Sequence, residues 1–314
     1  MISGKLYYIK RVLLIFPTLV GITLITFLLL QALPGDPIQG MVGDRTEPEV
    51  MERIKNELGT DQPLVLQYLG YVGLLLKGEL GRSYYTNRSV VEDIAQKLPN
   101  TIKLACGAML FSIIFGLLLG ILMAVQQGTV WDRIGQVISV GGISLPVFWL
   151  GLLLIYIFSF VLHLLPPSGM GSGSFLYLIL PASTLGLNSA AYLARVTRSS
   201  MLEVLSQPYI ITARAKGLTG YSVVLKHALK NALIPIITLI GLDFGSYLNG
   251  SVLTETIFGW DGIGRYAVDG IFRRDYPVIM GCILVGAALF VFINLIVDLM
   301  YGFIDPRIKH EGTA

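Results

Sequence analysis

Charged side chains are scarce in this sequence. Only 14% of its 314 residues are Asp, Glu, Lys or Arg, whereas 54% are hydrophobic and the mean hydropathy is +0.71. A soluble globular domain carries roughly 25% charged residues, so this composition excludes an ordinary soluble protein. The net charge of +3 is small, and no long basic run indicates binding to nucleic acid.

Cysteine and histidine are also rare. Cys106 and Cys282 lie within apolar stretches, which predicts two buried thiols with no disulfide or metal role. The three histidines, His163, His227 and His310, are too scattered to suggest a metal site. The nucleotide-binding pattern Gly-x-x-x-x-Gly-Lys-Ser/Thr does not occur. We therefore expect no metal, no bound cofactor and no catalytic site in this chain.

Long apolar runs dominate the sequence instead. A bilayer core requires about 20 mostly apolar residues per helix. Six stretches meet this condition, at roughly 12–31, 103–125, 135–163, 175–194, 233–253 and 279–301. The first is long enough to span and is followed by Pro34-Gly35-Asp36-Pro37, which is no signal-peptide cleavage pattern. The predicted fold class is therefore an all-α integral membrane protein with about six transmembrane helices.

The positions of Lys and Arg predict the orientation of these spans. Basic residues concentrate before the first span and between the fourth and fifth, which places both termini in the cytoplasm. The chain then divides into four parts: the N-terminus with the first span, 1–31; an extracytoplasmic insert, 32–102; a five-helix core, 103–301; and a cytoplasmic tail, 302–314.

The extracytoplasmic insert is long enough to have structure of its own. Thr46 suits the N-cap of a helix over Glu47–Leu58, which Gly59 would end. A second amphipathic helix is expected over Pro63–Leu76. The insert is either a cap over the membrane mouth or a platform for an external partner.

The cytoplasmic segment 198–232 is basic and helical. Pro208 suits the first position of a helix, which we expect to stop at Gly217. A second short helix is expected over Tyr221–Asn231, after which Pro235 opens the fifth span. The segment either lies on anionic lipid or docks on a cytoplasmic partner that supplies force.

Several stretches of the sequence resemble one family. The run from Tyr209-Ile210-Ile211 to Ala215-Lys216-Gly217-Leu218, followed by His227 to Pro235, closely resembles the cytoplasmic "EAA" loop of bacterial ABC importer permeases in the dipeptide, oligopeptide and nickel branch. Other matching stretches follow in the same order and spacing: Leu33-Pro34-Gly35-Asp36-Pro37, Leu58-Gly59-Thr60-Asp61-Gln62-Pro63-Leu64, Gly78-Glu79-Leu80-Gly81-Arg82-Ser83, Arg195 to Leu205, Thr254 to Trp260 and Arg274 to Val278. Together they cover essentially the whole chain.

The resemblance implies a type I ABC importer permease in the bacterial inner membrane. Its expected partners are a second, homologous permease, two cytoplasmic ATPases that use ATP and Mg, an external solute-binding protein and membrane lipid. Docking on the ATPase would use the coupling loop, with apolar anchors Ile210, Ala213 and Leu218 and basic residues at the rim. The residues assigned to this loop are Ile210, Thr212, Ala213, Arg214, Ala215, Lys216, Gly217, Leu218 and His227.

The sequence departs from the family pattern at a few positions. Ile211, Thr212 and Ala213 occupy the three positions that name the EAA loop, so its acidic residue is missing. Lys230 stands where other import permeases often carry proline. Asp261 stands at a position of the last external loop where proline is expected.

Polar side chains at membrane depth indicate a transport path. The candidates are Asn188, Asp243, Asn249 and Asn294. Asp243 is the most costly of these to bury, and it either lines the path or pairs with a neighbouring hydroxyl or basic group. In the third span, Ser139, Ser144 and Pro146 either let the helix bend beside the path or serve close helix packing.

Other classes of function fit the sequence less well. An ion-coupled secondary transporter normally shows internal repeats and paired midplane carboxylates, and an intramembrane hydrolase needs a nucleophile beside a base. A channel without energy input gives the cytoplasmic helices no role. Short peptides are the first substrate expected, and nickel or another small solute such as glutathione are alternatives.

Overall fold

The computed structural model describes residues 2–32, 62–248 and 251–304. In these ranges the chain is helical apart from turns and one isolated bridge between Arg82 and Ser89. The helix expected over Glu47–Leu58, the candidate Asn249 and most of the tail 302–314 lie outside the described residues.

Long apolar helices form the body of the described chain. Five are long and apolar enough to cross a membrane, and there are six when a bent pair of helices is counted as one span. The prediction of about six membrane helices is confirmed. The five are α1 (Ile2–Ala32), α3 (Val90–Val125), α6 (Leu176–Leu205), α8 (Gly220–Leu248) and α11 (Tyr276–Ile304).

The third span is a pair of helices bent by 105°. Helix α4 (Val130–Ser144) ends before Leu145 and Pro146, which are both extended, and α5 (Val147–Val161) follows. A residue before proline is pushed out of the helical region, and proline has no N–H with which to continue the helix. Of the two roles considered for Pro146, a bend in the helix is confirmed.

The fifth membrane helix is longer than expected. The separate helix predicted over Tyr221–Asn231 is wrong, because α8 runs without a break from Gly220 to Leu248 and contains Pro235. Proline removes one N–H from a helix, and packing can hold the helix across that gap. Here Ala232 and Ile236, on either side of the proline, are both fully packed in the core.

Helices α3 and α6 pack along a seam of small residues. A Cβ built on Gly120 would lie 2.5 Å from the Cβ of Thr197 and 2.7 Å from the carbonyl oxygen of Ala194. A Cβ on Gly116 would lie 2.9 Å from the Cβ of Leu193. Two glycines four residues apart therefore allow the two backbones to approach closely, as is typical of membrane helix pairs.

Shorter helices lie at one end of the bundle. They are α2 (Leu64–Leu76), α9 (Val252–Ile257) and α10 (Ile263–Arg273), and we call this the α10 end. The helix expected over Pro63–Leu76 is confirmed, with Pro63 as its N-cap. The opposite end, where α3 and α6 finish and α8 begins, is called the α7 end after helix α7 (Pro208–Ala215).

A buried carboxylate ties α3 to the short helices of the α10 end. Glu255 has no exposed surface, and it accepts hydrogen bonds from the Thr101 hydroxyl at 3.0 Å and the Arg265 backbone N–H at 2.9 Å. Burial raises the pKa of the Glu255 carboxyl, and these donors partly offset that effect. Nearby, Lys97 forms an ion pair with Asp261, the residue that replaces the expected proline.

Candidate docking segment and polar helix face

Helix α7 begins and ends with clear local signals. Gln207 is extended and Pro208 takes the first helical position, where its missing N–H costs nothing. At the other end Gly217 has φ +78°. Its N–H donates to the carbonyl oxygen of Arg214 at 2.9 Å, and the Leu218 N–H donates to the carbonyl oxygen of Ala213 at 3.4 Å. These two bonds form a Schellman turn, which favours glycine at the left-handed position. The expected helix stop at Gly217 is confirmed.

The cap of the next helix follows this turn directly. The Thr219 hydroxyl accepts the Ser222 N–H at 3.3 Å and so caps α8. Helix α7, the turn and the first turns of α8 therefore form a compact unit, which we call the docking segment (residues 208–229). Its last part, Val223–Leu229, is π-helical.

One face of α7 is buried inside the chain. Ile210 is 0% exposed and Ala213 is nearly as buried, in a core cluster with Met201 of α6 and Val223 of α8. The expectation that Ile210 and Ala213 anchor a partner is wrong, because their side chains already pack against this chain's own helices. They attach the docking segment to the membrane helices.

The exposed surface of the docking segment is mixed in chemistry. Ile211 of α7 is 63% exposed, and Tyr221 in the first turn of α8 is 74% exposed. The other exposed residues of this surface are Tyr209, Thr212, Arg214, Ala215, Lys216 and Leu218. Apolar and aromatic side chains beside two basic groups suit a protein partner whose groove is apolar with an acidic rim.

Two polar contacts and a cavity complete the docking segment. The Asn231 side-chain amide donates to the Tyr209 hydroxyl at 3.0 Å and to the His227 carbonyl oxygen at 2.7 Å, which fixes the position of Tyr209. His227 itself is half-buried.

A cavity of about 500 Å³ lies between α3 and the docking segment, lined by Ile121, Val125, Arg214, Gly220, Tyr221, Val223, Val224 and Leu225.

A buried ion pair braces the α7 end. The Asp132 carboxylate, in the first turn of α4, accepts two hydrogen bonds from the Arg198 guanidinium of α6, at 2.7 and 2.9 Å. It also accepts the Gly128 N–H and the Gln136 side-chain amide, each at 2.9 Å. Sequence reasoning missed this brace, and the only local signal was an acidic residue in the first turn of an apolar helix.

The exposed side of α6 is polar from the middle of the helix to the α7 end. Asn188 is half-buried, and at helical spacing after it come the exposed residues Tyr192, Arg195, Ser199 and Glu203. The exposed side of α3 is apolar by contrast, with Leu110, Ile114, Phe115, Leu118 and Leu122. A lipid-facing helix carries few such polar residues, so this polar face of α6 marks a surface that meets water or another subunit.

The three predicted path residues that the structure describes do not form one cluster. Asn188 lies on the polar face, and its amide donates to the carbonyl oxygens of Gly142 and Ile143 in the last turn of α4, at 3.2 and 3.4 Å. Asn294 lies elsewhere, beside a cavity of about 540 Å³ between α1 and α11. Asp243 of α8 lies against α6.

Asp243 belongs to a small polar group between α8 and α6. The Tyr247 hydroxyl donates to the Ser189 hydroxyl, and the Asp243 carboxylate lies near both. Ser189 and Tyr247 are buried, whereas Asp243 is half-buried. The sequence indicated Asp243 alone, since its two partners are 54 residues upstream and one turn downstream.

Comparison with known proteins gives consistent matches. A family described as "Binding-protein-dependent transport system inner membrane component" matches residues 116–310, and the N-terminal part of the same kind of membrane component matches residues 5–105. The chain is 44% identical to the Di/tripeptide transport system permease protein DppB of Pseudomonas aeruginosa, over 96% of this chain and 98% of that protein. It is 43% identical to the Glutathione transport system permease protein GsiC of Escherichia coli K12, over 97% of this chain and 99% of that protein.

A solved structure shares the fold. Inward-facing MetNI, a methionine ABC transporter, superposes with a TM-score of 0.57 over 68% of this chain and 96% of the matched chain. The sequence identity is 19%, so this likeness supports the fold. The described helices therefore have the architecture of a type I ABC importer permease.

Proposed function

Because the chain belongs to the family of binding-protein-dependent transport system inner membrane components, we propose that it forms half of the transmembrane path of an ATP-driven importer of di- and oligopeptides. The observation that carries this proposal is the 44% identity to a di/tripeptide permease along almost the full length of both chains. Family membership leaves the ion-coupled alternative without support.

The docking segment supplies the coupling to ATP. Its exposed surface carries the apolar and aromatic residues Ile211, Tyr209 and Leu218 together with the basic Arg214 and Lys216, and this surface rests in a groove of a cytoplasmic ATPase. Its buried face, with Ile210 and Ala213, is fixed to α6 and α8. When ATP binding closes the two ATPases, the docking segment moves with its motor and carries these membrane helices along.

The proposal implies an orientation in the membrane and a set of partners. The α7 end faces the cytoplasm with both termini, and the α10 end faces outward toward the solute-binding protein. A similar but non-identical permease completes the path beside the polar face of α6. The chain itself catalyses no reaction, and ATP and Mg act on the two partner ATPases.

Glutathione is the second candidate substrate. The chain is almost as similar to a glutathione permease as to a di/tripeptide permease. Glutathione is itself a tripeptide with an unusual first linkage, so the path would meet much the same polar groups. Nickel remains a third candidate from the sequence resemblance.

Uptake by the reconstituted complex tests the proposal. Proteoliposomes would contain the chain, its partner permease and the two ATPases, and the binding protein would be added outside. We expect uptake of radiolabelled dialanine or trialanine that requires both ATP and the binding protein. Uptake of nickel or glutathione without any dialanine uptake would contradict the assignment to peptides.

A further inference from the structure

Helix α2 is apolar along its whole length, yet it adds no buried residue to the core. Its 13 residues, Leu64–Leu76, include no charged side chain, and none of them is buried. An apolar segment of about 10–14 residues is too short to span a bilayer, and it usually forms either a core helix or a helix at the membrane interface. Because none of its residues is buried, α2 is not a core helix.

Contacts with α1 hold α2 at the depth of the hydrocarbon. The Tyr68 hydroxyl is hydrogen-bonded to the Thr23 hydroxyl at 2.9 Å. The rings of Tyr68 and Tyr71 pack against the Phe27 ring, with centroids 5.5 and 5.9 Å away. Both α1 residues lie inside the apolar window Arg11–Leu28 of that span, and Thr23 is about 8 Å from its outer end at about 1.5 Å per residue. The tyrosine side of α2 therefore lies below the membrane surface.

The rest of the α2 surface is exposed and wholly apolar. Val65 is 70% exposed, Leu69 57% and Leu76 84%. Beside the tyrosine contacts, α1 also exposes Leu24 and Leu28, which extend this apolar surface onto the span. Surfaces that face water rarely carry an apolar patch of this kind, and such a patch marks contact with a membrane or another protein.

The side chains of this surface suit lipid better than a second protein. Membrane helices that pack against other helices are rich in small residues, which let two backbones approach. Every exposed residue of α2 except Gly70 is leucine or valine. Bulky, flexible side chains without a polar group match the acyl chains of lipid.

We propose that α2 lies in the outer leaflet of the membrane, where its exposed surface contacts lipid acyl chains and anchors the insert 32–102 to the bilayer. A helix satisfies its own backbone N–H and C=O groups, which is the condition for lying in hydrocarbon. The helix has polar neighbours, with Gln62 before it and Lys77 after it, and the Lys77 stem lets its ammonium group reach the headgroups. The choice of the outer leaflet rests on the proposed function and its orientation, whereas contact with lipid does not depend on what the permease carries.

Spin labels on the exposed surface of α2 test the proposal. Val65→Cys and Leu69→Cys are each made in a background with Cys106→Ala and Cys282→Ala, and each new thiol is labelled with a nitroxide. The labelled chain is reconstituted with the partner permease and the two ATPases in vesicles of phosphatidylethanolamine and phosphatidylglycerol. Molecular oxygen concentrates in hydrocarbon whereas a nickel chelate stays in water, so the ratio of their collision rates with the label reports its depth.

Glu92→Cys is the matched control in water. Glu92 is exposed in the first turn of α3, at the same end of the bundle as α2. We expect the oxygen-to-nickel ratio at both α2 positions to be several-fold higher than in the control and equal to that of a phospholipid labelled in its acyl chain. Val65 and Leu69 are exposed, so the labels displace no packed side chain.

Two other outcomes would refute contact with lipid. A ratio equal to that of Glu92→Cys would place α2 in water, as part of a cap or of a platform for the binding protein. Low collision rates with both reagents would show that the second permease covers α2. ATP-dependent uptake of dialanine is measured on the same vesicles, so a failure of the proposed function is seen separately from a failure of this inference.

Discussion

Arg198 and Asp132 join the end of α6 to the start of the bent third span through two parallel hydrogen bonds, at 2.7 and 2.9 Å. The two residues are 66 positions apart in the sequence. The carboxylate is almost fully buried, and the guanidinium is partly exposed. The pair therefore holds the bent span to the helix that leads into the docking segment.

Removing one partner of this pair should destabilise the permease. Asp132→Ala leaves the Arg198 guanidinium without its carboxylate, and we expect a loss of about 2 kcal/mol, below the usual value for fully buried pairs because Arg198 is partly exposed. The melting temperature of the purified complex in detergent measures the effect. Arg88→Ala is the control, since Arg88 is more than half exposed in its pair with Asp93 and should change the melting temperature little.

Gly217 should tolerate only residues that accept its backbone conformation. Nothing lies within 4 Å of an added Cβ, so the positive φ is the only constraint there. Gly217→Pro cannot adopt φ +78° and removes the N–H that bonds Arg214, so we expect it to abolish ATP-dependent uptake although the protein still inserts. Gly217→Asn should keep most of the uptake, because asparagine visits the left-handed region. Normal uptake by the proline variant would refute the docking role.

Substitution of Ile210 by alanine should lower stability, whereas the same substitution of Ile211 should weaken ATPase binding. Ile210→Ala empties a fully buried site, and we expect a loss of about 2–5 kcal/mol in stability. Ile211→Ala changes an exposed side chain, so stability should stay within about 0.5 kcal/mol. Ile211→Ala should instead weaken ATPase binding about tenfold if it is a central contact. Co-purification of the ATPase and the melting temperature together separate the two effects, and equal ATPase affinity for Ile211→Ala would remove Ile211 from the interface.

Gly120 should be far more sensitive to a methyl group than Gly141. Gly120→Ala places a Cβ into Thr197 and the Ala194 carbonyl, and we expect a cost of about 1–3 kcal/mol as α3 and α6 move apart. Gly141→Ala meets nothing within 4 Å and should not destabilise the protein. Thermal unfolding of the two variants, measured side by side, tests the seam. A melting temperature for Gly120→Ala that equals that of Gly141→Ala would contradict the close packing.

Much of the fold could be predicted because the long apolar stretches of the sequence are sufficient to identify the membrane helices. The sequence also indicated the bend at Pro146 and the stop at Gly217, since proline and glycine act through their own backbone geometry. The prediction that a new helix begins at Pro235 was wrong, because the packing of α8 against other helices outweighs the local helix-breaking effect of proline.

The candidate site was harder to predict for two physical reasons. Helix α7 has apolar residues on both sides, so its eight residues do not reveal that Ile210 faces inward and Ile211 outward. The Asp132–Arg198 brace and the Ser189–Tyr247 hydrogen bond join residues that are far apart in the sequence. Only the folded arrangement of α4, α6 and α8 brings them together.

The length of helix α6 allows it to act as a lever. It is a single helix of 30 residues, which makes it about 45 Å long. The docking segment is packed against one end of this rod, and the polar face runs along its side. For a rod of that length, a tilt of about 10° at one end moves the far end by about 8 Å. A small rotation of α6 at the α7 end therefore produces a displacement of several ångströms at its other end.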